Sequence, residues 1–131
     1  MDFLINLLLL LLIGYILGSE RANSHNLVGI RTVTLILLGA FIFTYISSRV
    51  GGDPARIVAQ VVTGTGFIGA GIIFKDGIKN VHNLTTAVLV WVLAALGCLI
   101  SLSMRLESLI ITITIYVILR VYKKVFNHVD R

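Results

Sequence analysis

The chain has 131 residues and a formal net charge of +5, with 57% hydrophobic and 13% charged side chains. An average soluble domain carries about 25% charged residues. Its length fits one domain, and its apolar residues gather in long runs, which excludes a disordered chain and argues against a soluble core. Lys and Arg lie between those runs and at the C-terminal end, which reads as membrane orientation and not as a nucleic-acid patch.

The first run spans residues 3–19. Its leading segment carries Asp2 and no Lys or Arg, unlike the basic head of a signal peptide, so it reads as a retained membrane helix. It is short for a span of about 20 residues, and local thinning or an interfacial Glu20 makes up the difference. The second run, 32–48, follows a polar loop with Glu20, Arg21, His25 and Arg31. The third, 54–74, opens on Asp53-Pro54, an N-cap followed by a residue suited to the first helical turn. The fourth, 84–104, follows Asn83, a candidate cap for Thr85-Thr86. The fifth, 106–121, contains the alternating stretch Ile111-Thr112-Ile113-Thr114-Ile115. In lipid a lone strand leaves its backbone unpaired, so helix is predicted.

The expected fold is therefore an all-α membrane protein, with a transmembrane domain over 1–122 and five spans. A short basic tail over 122–131 follows, with no soluble domain after it. Val121, Val125 and Val129 mark that tail as a short amphipathic helix on the inner leaflet. Gly51-Gly52 and Asp76-Gly77 mark turns. Alternate loops carry eight basic residues on one side (Arg21, Arg31, Lys75, Lys79, Arg120, Lys123, Lys124, Arg131) and three on the other (Arg49, Arg56, Arg105). The richer side is cytoplasmic by the positive-inside rule, which places the N-terminus out and the C-terminus in.

The third run is also rich in small residues. Gly64 and Gly71 share one helix face and Gly66 and Ala70 another, and Gly69 is a further packing candidate. Two small faces predict a central helix packed closely on its neighbours, or a broken helix that exposes backbone groups to an ion. On the close-packing reading, Leu at position 66 overpacks the bundle. Gln60 should hydrogen-bond to another helix. Arg56 faces the positive end of the helix dipole and needs an anionic partner, with Asp53 the nearest; it reads equally as a snorkelling interfacial cation.

Glu20 and Arg21 end the first run as an interfacial pair or as part of a site. The inner loops bring them and Arg31 near Lys75, Asp76, His82, Asn83, Thr85 and Thr86. That cluster suits either an anion at a helix N-terminus or a structural network. No catalytic residue, metal site or cofactor is expected. His25, His82 and His128 lack metal-ligand spacing, no carboxylates pair in sequence, and no Walker-type loop occurs. Cys98 reads as a small packing residue.

Gly18-Ser19-Glu20-Arg21, Gly29-Ile30-Arg31-Thr32, the stretch from Asp53-Pro54-Ala55-Arg56 through Gln60 to Gly64-Thr65-Gly66-Phe67-Ile68-Gly69-Ala70-Gly71, and Leu84-Thr85-Thr86-Ala87 with Trp91 together resemble the MgtC/SapB family of bacterial membrane proteins. The resemblance covers residues 18 to about 100 of this chain. It implies a multi-pass inner-membrane protein linked to growth in low magnesium and to virulence. It also implies regulation through contacts with other membrane proteins, the proton-translocating ATP synthase among them, with self-association open. The positions it carries over are Glu20, Arg21, Arg31, Asp53, Arg56, Gln60, the glycines, Thr85 and Thr86. A transporter or channel for an ion such as Mg²⁺ is the alternative. Such a path calls for oxygen ligands within the membrane, and no carboxylate lies in mid-span.

The chain departs from the family pattern in three places. Ala22 stands where an acid often follows Glu-Arg. Asn83 stands where Gly often precedes Leu-Thr-Thr. The chain stops at Arg131, whereas longer members continue into a soluble domain, so a short member and a truncated form both fit.

Overall fold

The computed structural model describes residues 1–22, 28–51, 53–74 and 83–129, with side chains described as far as 121 and, at the end of the third helix, as far as 73. Five helices follow one another: α1 Asp2–Ala22, α2 Ile30–Arg49, α3 Pro54–Phe74, α4 Leu84–Ser101 and α5 Arg105–Val129. Helices α1 to α4 are each long and apolar enough to cross a membrane. The isoleucine-threonine alternation is helical, as expected, and α5 runs on as far as Val129, within the segment read as a tail.

Each element has a local reason. Asp53 Oδ1 accepts the N–H of Ala55 at 3.0 Å, and Pro54 begins α3, so the predicted start of that helix holds. Thr65, Thr112 and Ser108 lie among apolar neighbours and donate to carbonyls four residues back, at 2.6, 2.7 and 2.6 Å. That back-bonding satisfies a hydroxyl where no water can. Large apolar side chains are exposed on α1 to α5, among them Leu8, Leu35, Phe67, Val88 and Ile113. Water would not tolerate so much exposed apolar surface, whereas a bilayer covers it.

The centre of the bundle is α4, not α3. Over half of the α4 span is buried (56%), against 11% for α3. Leu89, Val90, Leu93, Leu96 and Ile100 of α4 meet Leu10, Ile13 and Leu17 of α1 and Val33, Leu37 and Phe41 of α2 in one cluster. Gly97 sets the closest approach: a Cβ there would strike the Leu37 carbonyl oxygen of α2 and lie 3.0 Å from Ala40 Cβ. Gly14 and Gly18 do the same for α1, against Thr34 and Ile30 of α2. The expectation of a central α3 read glycine content as packing, but a glycine marks close approach only where another backbone lies against it.

Candidate functional site

The sequence-derived residues fall at two places. Glu20, Arg21, Arg31, Thr85 and Thr86 lie at the end of the bundle formed by the α1 C-terminus and the starts of α2 and α4. Asp53, Arg56 and Gln60 lie at the opposite end, on α3. Lys75, Asp76 and His82, assigned to the first cluster, lie outside the described residues.

At the first place, Arg21 continues the buried stripe of α1 set by Leu10, Ile13, Gly14, Leu17 and Gly18. Its Nε is 4.0 Å from Glu20 Oε2, and both side chains are about nine-tenths buried, at 9% and 10% exposed. That separation is too long for a hydrogen bond. Arg21 Nε and Nη2 have no hydrogen-bond partner among the described residues. Thr86 is buried, while Thr85 and Arg31 are exposed. Asn83 adopts a left-handed conformation (φ 68°) without a side-chain cap on α4, so the predicted capping by its side chain is not made. The left-handed backbone is one that glycine also adopts, consistent with Gly at this position in the family pattern.

At the second place the geometry corrects two expectations. Asp53 caps Ala55, and among the described residues it forms no ion pair with Arg56. Arg56 is exposed. Of the glycines assigned to packing, Gly69 alone of the four meets a neighbour, an added Cβ lying 3.3 Å from the Ala87 carbonyl of α4; Gly64, Gly66 and Gly71 face open space. Gln60 is exposed and, among the described residues, makes no hydrogen bond. It lines a groove of about 730 Å³ between α2 and α3, together with Leu35, Gly39, Phe43, Ile57 and Gly64. The groove is apolar apart from Gln60 and two threonines.

A third polar cluster was not anticipated. Asn6 is buried in α1; its Nδ2 donates to Ser103 Oγ at 3.0 Å, and its Oδ1 accepts from Arg105 Nε at 2.8 Å. Arg105 Nη2 donates to Asp2 Oδ1 at 2.7 Å. Arginine can only donate, which fixes the orientation of the amide. The signal was Asn6 itself, a lone amide in an apolar run that must find a partner in another element. Nothing in the sequence named the partner. Beside this cluster, Phe3 packs on Phe41 and Tyr45 with centroids 5.6 and 4.9 Å apart, and Arg49 lies over Tyr45 at 5.1 Å. Tyr45 and Arg49 are residue types suited to the end of a membrane span. Among the described residues no group of three or more His, Cys, Asp or Glu side chains could hold a metal ion.

The model of the MgtC family matches residues 7–128 of this chain. Protein MgtC of Brucella abortus (strain 2308) is 45% identical over 106 residues, covering 79% of this chain and 44% of the relative. Protein MgtC of Salmonella typhimurium (strain LT2) is 40% identical over 114 residues, covering 86% and 49%. The chain thus spans about half the length of these curated relatives. No solved structure matches it. With nearly its whole length matched and two-fifths or more of the aligned residues shared, the chain belongs to the MgtC family.

Proposed function

We propose that the chain is a non-enzymatic regulator of a bacterial inner membrane, acting through lateral contacts between its helices and other membrane proteins. Its processes are growth in low magnesium and virulence, and the ATP synthase is the partner that the family resemblance offers. The orientation is N-terminus out and C-terminus in, supported by the unequal basic loops. One observation carries the reading. Helix α3 leaves open an amide less than two turns into the span and, on the same face, Gly64 and Gly71, while the bundle interior is closed by Leu, Ile, Val and Phe side chains. A surface of that kind serves another helix, because small residues allow close approach and an amide in hydrocarbon needs a partner.

Two measurements test this. In liposomes holding the purified chain, Mg²⁺ entry should equal that of empty vesicles; flux above that level makes the protein a transporter. In a strain lacking the protein, the parent chain and Leu8→Ala should restore low-magnesium growth, and Gln60→Leu should not. Restoration by Gln60→Leu would remove α3 from the function.

A further inference from the structure

We propose that the exposed face of α3 is a self-association surface, and that its occupant is α3 of a second copy related by a two-fold axis along the membrane normal. This deepens the regulatory reading by naming a partner for the same face. At 100° per residue, Arg56, Gln60, Gly64, Phe67 and Gly71 fall in a band about 80° wide, with Asp53 at its head. All six are exposed, and Phe67 is 83% exposed.

Each feature of this band finds its complement on the band itself. Asp53 and Arg56 are an acid and a base one turn apart, and among the described residues neither is ion-paired. Across a parallel two-fold, Asp53 of each copy reaches Arg56 of the other, so one contact gives two opposite-charge pairs. Gln60 lies about 9 Å along the helix from Pro54, at 1.5 Å per residue. Its amide both donates and accepts, so it pairs with its own symmetry mate. A lipid acyl chain offers neither a donor nor an acceptor. Phe67 projects between Gly64 and Gly71, one turn to either side, where an added Cβ meets nothing within 4 Å. The same gap on the second copy receives its ring. The groove against α2 flanks the band at Gln60 and Gly64 and takes the side of the arriving helix.

The test uses the purified chain alone in phosphatidylcholine vesicles, so it succeeds or fails independently of any regulated partner. With Cys98→Ala as background, Gly64→Cys and Gly71→Cys should form disulfide-linked dimers on oxidation. Leu8→Cys on α1 and Ile113→Cys on α5, both exposed, should not. Gly64→Leu should keep the parent's melting temperature, since its side chain enters open space, and lose the dimer. Gln60→Leu should weaken the dimer roughly three- to tenfold. Arg56→Glu and Asp53→Lys should each dimerise poorly alone and pair with each other when mixed. The proposal is overturned by equal cross-linking at the control positions, by none at the glycines, or by Gly64→Leu dimerising like the parent. Cross-linking in native membranes solely to a different protein also overturns it, and assigns the face to a foreign helix.

Discussion

A glycine in this bundle means what lies against it. Gly97 has the α2 backbone at its Cα and Gly66 has nothing within 4 Å, although both sit in apolar helices and look alike in sequence. Gly97→Leu should therefore lower the melting temperature in detergent by the equivalent of about 1–3 kcal/mol, as overpacking does, while Gly66→Leu should melt with the parent. A loss at position 66 equal to that at 97 would place a neighbour where none is seen. Asn6 gives the second case at this scale. Asn6→Leu removes both hydrogen bonds of the buried amide, to Ser103 and Arg105, a loss of about 0.5–1.5 kcal/mol, since both partners keep access to water. Removing the exposed end of the cluster with Asp2→Asn should cost far less, because exposed ion pairs contribute little. The same detergent melts compare the two; equal losses would mean that the amide is not the anchor.

At the scale of elements, what could be read in advance divides by its physical origin. The bounds of α3 were legible because Asp53-Pro54 fixes one end by local chemistry and the apolar run fixes the other by length. Helix α2 begins two residues before its expected start, at Ile30, because Arg31 can sit in the first turn with its charged head outward. The helical state of α5 was legible from the cost of unpaired strand backbone in lipid. The order of burial was not. Hydropathy states that each helix prefers hydrocarbon to water, and lipid and protein interior are equally apolar, so it cannot rank α4 above α3. The separation of the candidate residues into two ends followed from the alternation of the loops, whereas the Asn6 to Arg105 cluster depends on contacts across about a hundred positions.

For the whole molecule, the chain ends of alternate helices define two faces. Val50 lies at the face shared with Asp53 and Arg105, and Gly29 at the face of Arg21 and Arg31. With Cys98 replaced, Val50→Cys should react with an impermeant thiol reagent in intact cells, and Gly29→Cys should react only after lysis. The reverse pattern would invert the orientation. Val50 is 78% exposed and Gly29 has open space around it, so neither substitution disturbs the bundle it reports on.

The Asn6 cluster also sets an order of events. Asn6 is made early and Ser103, which accepts its amide, lies 97 residues later. At about 5–20 residues per second, the first helix waits roughly 5–20 s for that partner. During this interval α1 holds an amide inside the membrane whose protein partners have not yet been synthesised. Water at the interface or the insertion machinery must serve in their place. The arrival of the turn between α4 and α5 then fastens the earliest helix to the latest, so the clamp closes once every other helix has been made.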